Sequence, residues 1–258
     1  MRATIECSAK VIGPSILVHD ADLVAQWDQR GTGITNAWNE DGYPITLEHM
    51  HQDTKEVVAY LLKKFNREKL YLVRFSWGGF LGHQFAKDNP EQLHAYISVS
   101  SMISQGDSEQ VTFDFLQAKA LESNNNTAIE EINKINVPFE SWEDLFYQRK
   151  WTAYFTSEKE GAKSYSKKVV AEWSEKWMPI FLEACKVNYM ESAPELKCPV
   201  YFFVAKKDMV ANQKITTDYF EKLIAPKKEL IWFEQSNHEI AGEEPKKFNA
   251  ELVKISSE

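Results

Sequence analysis

The sequence predicts an α/β fold, a mostly parallel sheet flanked by helices. Three observations point there. Short apolar runs alternate with amphipathic stretches at both ends of the chain, the pattern that buries a parallel sheet between helical layers. The interval from about residue 103 to 192 breaks that alternation: it is helical, charged and aromatic, without a strong strand candidate. The alternation then resumes. The expected organisation is a core of residues 1–102 and 193–258 interrupted by a helical cap at 103–192.

The elements follow in order. PSILVH (14–19) and LVAQWD (23–28) are short and apolar and read as buried strands, with DQRGTGITN after them as a loop. A helix is expected from Thr46, a residue suited to the N-cap, with Leu47, Met50, Val57, Val58, Leu61, Leu62 and Phe65 at helical spacing. Its acids come early and Lys63 and Lys64 late, as the helix dipole favours. KLYLVRF is a strand, and a helix follows it and stops before Asp88-Asn89-Pro90. AYISVS (95–100), PVYFFVA (199–205) and ELIWFE (229–234) are strands. Helices are expected from about Asn212 to Leu223 and from about Pro245 onward.

The bulk properties narrow the function. With 258 residues the chain has room for one large domain or one domain with an insertion. A formal net charge of −8 argues against nucleic-acid partners and anionic membrane surfaces, which reward basic patches. Cys7, Cys185 and Cys198 are odd in number and widely spaced, so a reducing, cytoplasmic setting is expected rather than a disulfide framework. No stretch has the length of a membrane span, and the N-terminus carries no signal-peptide pattern. Oligomeric state is not legible.

Ligands of such sheets bind at the carboxyl ends of the strands. Three chemically suggestive residues fall there: Ser76 in RFSWGG, Asp208 in AKKDMV and His238 in QSNHEIAGEEP. Their chain order, Ser, Asp, His, is that of the α/β-hydrolase fold. A serine hydroxyl is a weak nucleophile until a histidine takes its proton, and that histidine needs a carboxylate to hold its tautomer. Each residue alone is weak evidence; all three at strand ends in this order are hard to obtain by chance. Gly31-x-Gly33 lacks the third glycine and the βαβ context of a dinucleotide site. His19, Asp20 and Asp22 offer metal-ligand types without a fourth ligand nearby, so no metal and no cofactor are expected.

The segments WDQRGTGIT, LVRFSWGGFLG, YFFVAKKDMV and APKKELIWFEQSNHEIAGEEP resemble those of proline iminopeptidases (prolyl aminopeptidases) and their α/β-hydrolase relatives. The resemblance runs from about Pro14 to the C-terminus and is loosest at 103–192. It implies a serine-hydrolase site under a cap and release of an N-terminal residue, often proline, from short peptides. Ser76 would be the nucleophile, His238 the base and Asp208 the acid. The backbone N–H of Trp77 would be one oxyanion donor. Alternatives are an esterase or amidase of the same fold, and a catalytically impaired relative.

Two departures bear on that choice. Position 74 is arginine where the elbow pattern has glycine, although Gly78, Gly79 and Gly82 keep the helix side open. The family's His-Gly-Gly-Pro-Gly loop, source of a second oxyanion donor, has no counterpart beyond His19: Asp20-Ala21-Asp22 leads almost directly into LVAQWD. Parallel strands need a crossover of about a dozen residues or more. A rearranged N-terminal strand, a truncated relative and a missing segment all accommodate this. Loss of one oxyanion donor typically costs ~10²- to 10³-fold in turnover. For an aminopeptidase, Glu140, Glu143, Asp144, Glu172 and Glu183 are candidate partners for a substrate ammonium group.

Overall fold

A computed structural model describes residues 5–8, 23–38, 45–156 and 166–257. PSILVH and the His19–Asp22 stretch lie outside the described residues. Four parallel strands form the main sheet: β3 (Leu70–Phe75), β4 (Leu93–Val99), β5 (Val200–Ala205) and β6 (Lys228–Phe233), in that spatial order. β4 and β5 are buried on both faces apart from His94, and apolar apart from His94 and the buried Ser98, as suits central strands between helical layers.

The period of two sorts their side chains. Ala95, Ile97, Val99, Tyr201, Phe203, Ile231 and Phe233 pack with Phe248, Leu252 and Ile255 of α11 (Pro245–Ser256). Tyr96, Val200, Phe202 and Val204 face the larger core, which includes α2 (Leu47–Lys64), α3 (Ser76–Asp88) and α9 (Gln213–Lys222). Each fully buried Phe or Ile in these layers contributes about 1.5–3 kcal/mol. α2 starts where the sequence places it: Thr46 Oγ1 accepts from the His49 N–H at 3.2 Å, a cap worth about 1 kcal/mol.

Between β4 and β5 the described residues are helical: α4 (Gln105–Glu122), α5 (Asn126–Ile132), α6 (Trp142–Thr156), α7 (Lys167–Cys185) and α8 (Tyr189–Ser192). Among the described residues no helix is long and apolar enough to cross a membrane.

The N-terminal part is built differently. β2 (Val24–Trp27) pairs antiparallel with β1 (Ile5–Ser8) in a separate two-stranded sheet. β2 faces β3 across a cavity of about 610 Å³ lined chiefly by residues of β2, β3, α2 and α11. The expected loop DQRGTGITN contains a short helix, α1 (Gly33–Ala37), a correction to the sequence expectation. Asp28 causes it: its Oδ2 accepts the Ile34 N–H at 2.9 Å and starts the turn. Gly33 has φ +47° and a Cβ there would lie 2.2 Å from Asp28 Oδ2, so this position requires glycine.

Candidate active site

Ser76 directly follows Phe75, the last residue of β3, and begins the helix α3 without a linking loop. Its φ is +47°, a left-handed conformation that costs a serine about 1–3 kcal/mol and lifts its side chain off the turn. The strain is held by tight packing. A Cβ at Gly79 would lie 1.9 Å from Ser101 Oγ, and one at Gly82 2.7 Å from the Tyr96 ring. Met102 N–H donates to Ser76 O at 3.3 Å, tying the elbow to the end of β4.

Arg74 is partly buried beside the elbow. Its side chain lies along the first turns of α3, and its Nε–H donates to Gly78 O at 3.1 Å. The guanidinium sits 5.4 Å from the centre of the Trp27 ring. The arginine is accommodated because positions 78 and 82 carry no side chain: a Cβ at Gly78 would stand 3.3 Å from Arg74 Nε, and one at Gly82 3.0 Å from Arg74 Cγ.

The three strand-end residues come together. His238 Nδ1 lies 2.9 Å from Asp208 Oδ2, and His238 Nε2 lies 2.9 Å from Ser76 Oγ. A carboxylate only accepts, so Nδ1–H donates to Asp208 and Nε2 is left to accept from the Ser76 hydroxyl. Asp208 is 1% exposed. Its Oδ1 accepts the N–H groups of Val210 (2.8 Å) and Ala211 (3.0 Å), which fixes the carboxylate plane. Burial favours neutral His238, but the charge and hydrogen bond of Asp208, helped by Glu239, outweigh it. The histidine pKa is raised above its ordinary value. The Trp77 amide belongs to the first turn of α3, whose N–H groups have no acceptor within the helix.

The loop carrying His238 is held by carboxylates that the sequence pattern did not single out. Glu244 Oε2 accepts from Gln235 N–H, Ser236 N–H and Ser236 Oγ at 3.0, 3.0 and 2.7 Å. Glu243 Oε2 accepts from Asn237 N–H at 2.6 Å. The available signal was the acid pair just before Pro245. On the other side of the site Arg30 donates twice to Asp53, at 2.8 and 2.7 Å, and this buried pair fastens the loop after β2 to α2. A cleft of about 530 Å³ beside the elbow is lined by Trp27, Asp28, Gln29, Thr32, Trp77 and Gly78, among others.

Of the five acids considered for a substrate ammonium, Asp144 has a structural role. Its carboxylate accepts from the backbone of Asn136, Glu140 and Ser141 ahead of α6. Burial alone would raise its pKa, but these bonds hold it below the ordinary carboxylate range. Glu140, Glu172 and Glu183 are exposed. Glu109 on α4 is as deeply buried as Asp144 and is gripped through both carboxylate oxygens by Arg149.

The model of the S33 serine aminopeptidase family matches residues 17–245. The chain belongs to this family. A probable aminopeptidase of Bacillus subtilis (strain 168), YbaC, is 26% identical over 247 residues, covering 87% of this chain and 77% of the relative. Among solved structures, the proline iminopeptidase of Mycobacterium smegmatis has a TM-score of 0.57 at 16% identity, covering 90% of this chain and 78% of that one. A thermophilic esterase from Thermogutta terrifontis has a TM-score of 0.60 at 14% identity, covering 98% and 92%. At such identities the structures establish the fold, that of an α/β hydrolase. This S33 family member is a hydrolase of the α/β fold.

Proposed function

We propose that the protein is a serine aminopeptidase that releases N-terminal proline or a similar residue from short peptides through an acyl-enzyme. The observation that carries this reading is the unbroken hydrogen-bonded relay from Ser76 through His238 to Asp208, with Ser76 at positive φ. Ser76 Oγ attacks the scissile carbonyl while His238 Nε2 takes its proton. Asp208 stabilises the imidazolium that forms. The Trp77 N–H faces the developing oxyanion. His238 then protonates the departing amine, and water clears the acyl group by the same route in reverse. The proline preference rests on the sequence resemblance and on the named aminopeptidase and iminopeptidase relatives. A reducing compartment suits Cys185 and Cys198, which are free thiols.

Steady-state hydrolysis of four chromogenic substrates tests the proposal: prolyl arylamide, alanyl arylamide, N-acetyl-prolyl arylamide and a simple acyl ester. The expected result is highest kcat/KM on prolyl arylamide and a drop of at least tenfold when its amine is acetylated. Higher kcat/KM on the ester with indifference to the free amine would replace the peptidase reading by an esterase of the same fold.

A further inference from the structure

Asp208 is oriented by its own loop. The N–H groups of Val210 and Ala211 grip Oδ1 and leave Oδ2 for His238. What holds that loop in turn is a helix distant in sequence. Thr112 Oγ1 donates to Met209 O at 2.6 Å, and Gln105 Nε2 donates to Val210 O at 2.8 Å, contacts spanning 97 and 105 residues. Both donors are on one face of α4, seven residues apart, or two helical turns.

The donors are themselves fixed. The second Gln105 N–H goes to Glu109 Oε1 at 2.6 Å. Glu109 is clamped by the Arg149 guanidinium, and its carbonyl accepts from Gln148 Nε2 at 2.7 Å. Thr112 and Gln148 are fully buried, and Gln105 and Glu109 are each 2% exposed. Gln105 Oε1 has no hydrogen-bond partner among the described residues, so this amide is placed for its N–H groups. The charges felt at His238 are those of Asp208 and Glu239, which favour its protonated form, and Arg149, which opposes it.

We infer that Thr112 and Gln105 are positioning residues that brace the Asp208 loop from α4 and so set the Asp208–His238 hydrogen bond. The inference rests on the catalytic reading of Ser76, His238 and Asp208 given above. Removing a donor leaves a buried carbonyl unsatisfied, and the peptide that orients Oδ1 shifts to find another. A displacement of that kind, distant from the reacting atoms, costs up to ~10²-fold in rate.

The test compares wild type with Thr112→Val, Gln105→Met and Thr112→Ser. Two readouts are taken: the rate of fluorophosphonate labelling as a function of pH, and the low-field proton resonance of the imidazole Nδ1–H by NMR. Thr112→Val is expected to slow labelling ~10- to 100-fold. Its acid limb should move to lower pH as His238 loses part of the Asp208 interaction, and its low-field resonance should weaken. Thr112→Ser keeps the hydroxyl and should restore both. A folded Thr112→Val protein with wild-type labelling rate, acid limb and resonance overturns the brace. Should Thr112→Val fail to fold, Gln105→Met decides by the same readouts. A wild type that takes no label overturns the catalytic reading instead, and the resonance, which needs no substrate, still decides whether α4 sets the Asp208–His238 bond.

Discussion

The end of β3 in the main sheet and the N-terminal strand β2 flank the same cleft but are held by different forces. Ser76, Asp208 and His238 follow β3, β5 and β6, strands locked in parallel register through β4. Their relative positions are therefore set by backbone ladders and two buried cores. Among the described residues β2 has no backbone ladder to that sheet. It and the loop after it are fastened by side chains: Arg30 to Asp53, the Arg74 guanidinium over Trp27, and Lys176 Nζ to Gly31 O at 3.0 Å. Ser76, Asp208 and His238 can thus keep their geometry while the neighbouring N-terminal wall rests on a few side-chain contacts. Substitutions should divide accordingly, into those that stop chemistry without loosening the fold and those that loosen the wall.

The largest effect is expected at Ser76, the proposed nucleophile. Ser76→Ala should lower kcat by about 10⁶-fold, as removal of a triad serine does elsewhere, with the melting temperature unchanged or raised because alanine removes only the hydroxyl contact with His238 and leaves the backbone ladders of the sheet intact. Loss of folding in this variant would blur the division. Next, Asp208→Asn should cost about 10⁴-fold by leaving His238 in the wrong tautomer. In the proposed mechanism the working base is neutral His238, so kcat/KM should fall as pH drops through its raised pKa, and the acid limb should lie above the ordinary imidazole value. Residual activity of Asp208→Asn should show that limb at lower pH. For stability the sign is opposite. The raised pKa favours the folded protein fully below the unfolded-state value, and that contribution fades as pH rises through the folded-state value.

On the N-terminal side, Asp53→Asn leaves Arg30 buried with its strongest charge partner removed. A loss of about 3–5 kcal/mol is expected in denaturant unfolding. A loss under 1 kcal/mol would mean the wall is held by something other than this pair. The smallest effect is expected from Arg74→Ala. It removes one hydrogen bond and one contact with Trp27, so stability should fall by about 1–2 kcal/mol and kcat/KM should change by less than about tenfold. A large gain in activity would show instead that the arginine distorts the elbow.

The same division governs what the sequence discloses. The four sheet strands, α2 with its Thr46 cap, α3 and the three strand-end residues are legible because each carries a local signature: period, cap or position at a strand end. β1 is not, since four residues reading IECS are too short and too polar to show a period. Nor is α1, whose start depends on the Asp28 side chain rather than on apolar spacing. Arg30–Asp53, Glu109–Arg149 and the Thr112 contact join residues 23, 40 and 97 positions apart, and nothing in the local pattern marks them. Arg74 reads as a blemish in a motif because the room it occupies, over Gly78 and Gly82 and against Trp27, exists only once strand and helix are packed.

The measurement that tests the account most directly is intact-mass analysis of the folded protein after fluorophosphonate treatment, beside the Ser76→Ala variant. One adduct per chain, absent from the variant and formed faster as pH rises through the raised His238 pKa, is the result the relay requires. No adduct on folded wild-type protein, or one that persists in Ser76→Ala, would contradict it.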